Sequence, residues 1–145
     1  MKVIEEKILA LSWRQPYAEL MLHGKIETRT WKTNYRGLVL ICASKVFYDT
    51  FEKIGISGMK QFNRLVDIVG DKNSVLQHGK AIAIGRLVDC RPMTKDDEDA
   101  CFVEFREGLY CHVYEEVQKI KPFEWRGSQR WKIVSDEVKQ KIKII

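Results

Sequence analysis

The sequence predicts an α+β fold, a small mixed β-barrel of about five to six strands flanked by helices. Three observations carry that expectation. Runs of strand length recur along the chain, at KILALSW, LVLICAS, GKAIAIGRLVDC and GLYCHVYEEVQKI. Stretches with helical spacing lie between some of them without regular alternation, which disfavours a doubly wound parallel sheet. A chain of 145 residues suits a single domain, 1–145, burying roughly two thirds of the surface that its unfolded form exposes.

Each element follows from local pattern. Lys7–Trp13 is short, apolar and bounded by charge, as a buried strand is. In QPYAELMLHG, Pro16 suits a first-turn position and Gly24 a C-cap, so a helix is expected from Pro16 to His23, with Tyr17, Leu20 and Met21 turned to the core. Ile26–Trp31, rich in β-branched and aromatic residues, reads as a strand. Tyr35-Arg36-Gly37 then turns the chain into LVLICAS, a near-continuous apolar run expected at the centre of the sheet.

Val46, Phe47, Thr50, Phe51 and Ile54 share one helical face, Gly55–Gly58 forms a hinge, and Phe62, Leu65, Val66 and Val69 mark a second helix over Met59–Val69. Gly79–Cys90 alternates and is interrupted by Gly85, the sign of a bent or bulged strand. Thr94, followed by Asp96, Asp97 and Glu98, predicts an N-cap and acidic first turn for a helix reaching Phe105. Gly108–Ile120 is strand-like in its first half. Lys121-Pro122-Phe123 reads as a connection, Gln129–Val134 as a last strand, and Ser135 as the cap of a basic terminal helix.

Composition narrows the function. No run approaches the length of a membrane span, and MKVIEEKILA places acids before a short apolar stretch, unlike a secretory signal. A cytoplasmic location with no membrane partner is expected. The four cysteines, Cys42, Cys90, Cys101 and Cys111, form no CxxC pair and read as reduced, mostly buried thiols. Zinc held by Cys90, Cys101, Cys111 and His112 would lack paired-ligand spacing, and no residue set calls for a metal or cofactor. The net charge of +5 is unevenly spread. Leu11–Lys45 has six Lys/Arg against two acids, Met93–Glu116 two against eight, and Lys119–Lys143 eight against three. A basic face favours a nucleic-acid partner, while a solvated surface of mixed sign explains the same counts equally well.

The stretch Leu11–Ser44 concentrates the chemistry. It places Arg14, Lys25, Arg29 and Arg36 around the first helix, together with Trp13 and Trp31. Lys25, Glu27 and Arg29 alternate, so on a strand they would share a face. Two cations beside one carboxylate lower the acid's pKa and leave net positive charge for an anion. Arg29 and Arg36 could grip phosphate, while Tyr17, Trp31 and Tyr35 could stack on an unpaired base. The alternative is an internal Glu27–Arg29 ion pair over a core of Trp13 and Trp31. Near the C-terminus, Trp125-Arg126-Gly127 and Arg130-Trp131 mix cations with aromatics. There Arg126 and Trp131 either extend a nucleic-acid surface or form a hairpin and close the core.

These segments resemble the ASCH domains, relatives of the PUA RNA-binding fold. The resemblance rests on LSWRQPYAELMLHGKIETRTW, TNYRGLVLICASK, GKAIAIGRLVDC and YCHVYEEVQKIKPFEWRGSQRW, in the family's order. It implies a PUA-like barrel with a cleft between the first helix and the barrel, binding RNA or a modified nucleoside. Arg14, Gln15, Lys25, Glu27, Arg29, Arg36 and Lys45 would be its polar contacts, and Tyr17, Trp31 and Tyr35 its apolar ones. The family signature spaces its Gly, Lys, Glu and Arg more widely than Gly24-Lys25-Ile26-Glu27-Thr28-Arg29 does here.

Some small ASCH proteins are similar to N4-acetylcytidine amidohydrolases, which use a Lys, a Thr and a Glu, and others to ribonucleases. In that comparison Lys25 would activate the Thr28 hydroxyl. Glu27 is the nearest acid, with Glu98 and Glu104 more distant. A third reading is a coregulator-like module that meets a protein partner through the acidic Met93–Glu116 segment. His23, His78 and His112 offer no triad spacing.

Overall fold

Six strands hydrogen-bond in the order β2-β5-β4-β3-β1-β6, a mixed sheet curled into a half-barrel with short helices around it. The computed structural model describes residues 4–46, 59–70, 76–127 and 130–145. The strands are β1 (Ile8–Trp13), β2 (Glu27–Arg29), β3 (Gly37–Ala43), β4 (Lys80–Pro92), β5 (Tyr110–Glu124) and β6 (Lys132–Ile133). The helices are α1 (Tyr17–Leu20), continued by a 3₁₀ turn at Met21–His23, α2 (Met59–Val69), α3 (Glu98–Cys101) and α4 (Asp136–Lys139). The expected α+β class and strand number are met. The helix expected over Val46–Ile54 and its Gly55–Gly58 hinge lie outside the described residues, apart from Val46 itself.

The centre of the sheet is covered on both faces, which is why its strands read as continuous apolar runs. Strand β1 pairs in parallel with β3, which pairs antiparallel with β4. Leu11, Trp13, Val39, Ile41, Ala83 and Leu87 bury one face against Ala18 and Met21. Ile8, Ala10, Leu40, Cys42, Ala81 and Ile84 bury the other against Val134 and Ile142. Parallel neighbours with two covered faces need apolar residues at successive positions instead of alternate ones. The α2 helix packs Leu65 against Leu20 and Phe102, so it buttresses the turn that leads into the site.

Curvature comes from the long β4–β5 pair, whose register shifts between Ala81 and Ala83, Ile84 and Arg86, and Leu87 and Asp89. Gly85 stands at the middle irregularity, where an added Cβ would lie 2.9 Å from Val117 Cγ2. Gly85→Ala is therefore expected to cost about 1–3 kcal/mol, by forcing Val117 or the bulge to move. Urea denaturation measures it, and an unchanged midpoint would show that the contact yields freely.

Three local expectations change. The segment 121–123 belongs to β5, because Pro122, which has no N–H to donate, falls in the shift between Ala81↔Phe123 and Ala83↔Lys119. The helix after Thr94 is a 3₁₀ turn (Lys95–Asp97) and then α3, stopped short of Phe105 by Phe102 at φ 59°. The last strand is only two residues long, and the Ser135-capped α4 is a single turn. None of the described helices is long and apolar enough to cross a membrane.

Candidate functional site

The site forms where α1 turns back toward the barrel edge. After the 3₁₀ turn, Gly24 adopts φ 86°, the left-handed conformation that glycine enters without a Cβ clash. That reversal delivers Lys25 beneath α1, where Lys25 N donates to Leu20 O and Ile26 N donates to Ala100 O at 2.9 Å. β2 then pairs with β5, Glu27 opposite His112 and Arg29 opposite Tyr110. A cleft of about 790 Å³ lies above, bounded by Ser12, Trp13, Arg14, Tyr17, the 25–31 segment excluding Ile26, and Val103–Arg106 with Leu109.

Its floor is a buried charge network. Lys25 Nζ donates to Glu27 Oε1 and to Ile26 O, both at 3.0 Å. Arg29 Nη2 lies 3.0 Å from Glu27 Oε2 and donates to Ser12 O at 3.1 Å, joining β2 across the barrel mouth to β1. Thr28 N also donates to Glu27 Oε1 at 3.0 Å. Lys25 and Glu27 are buried and Arg29 nearly so. Burial alone would push the Glu27 carboxyl up, but Lys25, Arg29 and the Thr28 amide together hold it below its ordinary range. Two cations against one carboxylate leave the floor positive. The network is thus an internal ion pair and a cleft lining at once, although Lys25 precedes the strand.

Aromatic rings wall this charge. Arg29 Cζ sits 5.0 Å from the Trp13 ring centre and 5.9 Å from that of Trp31, and Lys25 Nζ is 5.3 Å from that of Tyr17. Burial, and then the Glu27 charge, push the Tyr17 hydroxyl up to about 12 against the pull of Arg14. Trp31 is held from behind by His112, whose Nε2 donates to Trp31 O at 2.9 Å while its ring meets Trp31 edge-on at 4.9 Å. Burial pushes His112 below its ordinary value, so a neutral imidazole is favoured. Around Arg29, the buried atoms Ser12 Oγ, Trp13 Nε1, Arg29 Nε and Tyr114 Oη have no hydrogen-bond partner among the described residues. Trp13 Nε1 and Arg29 Nε can only donate.

Neither a protein-family model nor a curated protein matches the chain.

The structure gathers Arg14, Tyr17, Lys25, Glu27, Thr28, Arg29, Trp31 and the more distant acid Glu104 around the cleft and leaves Gln15, Tyr35, Arg36, Lys45, Arg126 and Trp131 outside it. Gln15 is buried and structural, its Nε2 donating to Gln77 O and its Oε1 accepting from Glu19 N. Tyr35 donates its hydroxyl to Leu38 O at 2.7 Å, and Arg36 Nη1 donates to the carbonyls of Thr33 and Tyr35, so both serve the turn before β3. Lys45 lies exposed along Gly79. Arg126 is exposed, its carbonyl accepting from Lys132 Nζ at 3.5 Å, and Trp131 packs between Trp31 and Tyr35.

Ser12, Thr30 and the Val103–Leu109 wall carried no local motif, and His112 none that tied it to Trp31. In the acidic Met93–Glu116 segment, Asp97, Glu98 and Asp99 have internal partners, and Asp96, Glu104, Glu107, Glu115 and Glu116 are exposed. Asp97 makes two 2.8 Å hydrogen bonds with Arg91 and accepts from Thr94 N, Asp99 pairs with Lys60, and Glu98 accepts from Phe105 N. Through the Phe105 amide, Glu98 braces the cleft wall.

Proposed function

We propose that the cleft binds a nucleobase-bearing ligand, single-stranded RNA or a modified nucleoside, with the base between Tyr17 and Trp31. The observation that carries this reading is the convergence of Arg14, Lys25 and Arg29 with the Trp13, Tyr17 and Trp31 rings on one cleft, under whose lining the buried Trp13 Nε1 and Arg29 Nε have no hydrogen-bond partner among the described residues. Such donors are rarely left without acceptors in a folded protein. A base supplies both a π face for the rings and carbonyl oxygens for the donors. The ASCH resemblance points the same way, with its PUA-like fold and cytoplasmic setting, and the four free cysteines fit a reducing compartment.

Titration with a short single-stranded RNA across a salt series tests the reading. Arg14, exposed at the rim, would meet phosphate, so Arg14→Ala should weaken RNA binding and flatten the salt slope by about 1. Absence of binding by both RNA and cytidine at millimolar concentration would overturn it.

A second reading, amide hydrolysis of an N4-acylated cytidine, is favoured by one placement: Glu104 lines the same cleft as Lys25 and Thr28. The Thr28 hydroxyl would add to the acyl carbon as Lys25 took its proton, and the C–N4 bond would break with a proton passing to N4. Water would then release the acid from Thr28. For this Lys25, which donates to Glu27 as an ammonium at rest, must leave Glu27 and first give a proton to solvent, since only the neutral amine has a lone pair to accept one. Release of cytidine from N4-acetylcytidine, lost in Thr28→Ala and Glu104→Gln, would establish the enzyme. No release, or equal release by both variants, would leave the binding reading in place.

A further inference from the structure

We infer that the ligand is an oligonucleotide and not a lone nucleoside, and that the nucleotide next to the one in the cleft lies in a second groove on the far side of Trp31. This inference rests on the base-binding reading of the cleft. The second groove, about 560 Å³, is lined by Trp31, Lys32, Thr33, Asn34, Arg130 and Trp131. Trp31 is common to both cavities, so a chain leaving the cleft passes directly over its ring into the groove.

The groove has what a flanking nucleotide requires. Trp131 offers a second ring, 5.8 Å from Trp31 and steeply tilted to it at 78°, so a base stacked on one ring cannot also lie flat on the other. Two successive bases would therefore splay apart, each on its own tryptophan, as unpaired strands do on aromatic platforms. Lys32 is exposed and has no ion pair among the described residues, and Arg130, also exposed, lines the same groove. The two cations suit the phosphate that links the two nucleotides. Trp31 is fixed as the divider by His112, which donates to its carbonyl and packs against its ring at 4.9 Å. A free nucleoside would fill the cleft and leave this cationic, aromatic groove unused.

The probes are cytidine 5′-monophosphate and a single-stranded hexaribonucleotide of C and U, titrated by tryptophan fluorescence into wild-type protein, Trp131→Ala and Lys32→Glu. The hexamer should bind wild-type protein at least about tenfold more tightly than the mononucleotide. Each variant should lose about tenfold in hexamer affinity while holding mononucleotide affinity unchanged. Lys32 is exposed, so Lys32→Glu keeps the test valid should Trp131→Ala unfold. Equal wild-type affinity for the two probes, or hexamer binding unaltered in Lys32→Glu, would overturn the second groove while the cleft reading stands. Failure of both probes to bind would overturn the cleft reading and this inference with it.

Discussion

Glu27→Ala is expected to destabilise the domain by about 3–5 kcal/mol, read as a lowered urea midpoint. The carboxylate is the shared partner of Lys25 and Arg29, and it also accepts the Thr28 amide. Removing it strands two cations in a site where Lys25 is only 3% exposed, because Glu27 is the acid that both of them touch. Glu27→Gln keeps the shape and one acceptor, so its cost should be smaller.

The same variant has a pH signature. The folded carboxyl titrates below its ordinary value of 4.5, so in the window beneath 4.5 the unfolded chain binds the extra proton. Stability from Glu27 is therefore full above that window and lost as pH falls through the folded value. His112, held below its ordinary 6.5, also loses stability toward acid, but from 6.5 downward. Glu27→Gln should remove the lower step and leave the upper one. Superimposable acid-unfolding curves for wild type and Glu27→Gln would show that Glu27 contributes no ionisation to the native state.

The parts of the fold legible in the sequence were those governed by short-range pattern. The apolar run LVLICA became β3, Gly24 became the cap it resembled, and Gly85 marked a register shift. Ser135 accepts from Val138 N as an N-cap should, yet the helix it starts is one turn long. Length failed where a tertiary contact decides it. Phe102 leaves the helix to bury itself against Leu20 and Leu65, which no local propensity encodes. Pro122 suggested a break, but an irregular register lets a strand carry a residue without an amide proton.

The site was legible to the same degree and for the same reason. Lys25, Glu27 and Arg29 lie close in sequence, and their mutual contacts follow from spacing and the Gly24 turn. Tyr35 and Arg36 have the same chemistry but are spent on backbone carbonyls within their own turn. Whether a side chain faces a cleft or its own loop depends on the direction of the chain there, and residue type does not report it. Glu104 and His112 reach the site from β5 and the segment before it, far along the chain, so their proximity required the sheet order.

Trp13→Ala should be the most damaging single change after Glu27→Ala, because one ring serves both the core and the cleft. Trp13 is 1% exposed and sits among Leu11, Val39, Ile41 and Leu87, so truncation should cost about 3–5 kcal/mol through the void it leaves. The ring also supports Arg29 at 5.0 Å and meets Tyr114 edge-on at 5.8 Å. Its loss would free Arg29 from the cleft floor and lower ligand affinity as well. Trp13→Phe separates the two roles. It keeps a ring under Arg29 and should cost only about 1–2 kcal/mol, yet it deletes the Nε1 donor. That donor has no partner among the described residues, so its removal breaks no hydrogen bond among them. If a ligand carbonyl is its acceptor, Trp13→Phe must weaken cytidine monophosphate binding by about fivefold or more at nearly native stability. Undiminished affinity in a folded Trp13→Phe would mean that the buried donor faces no ligand and that the base is held by the rings alone.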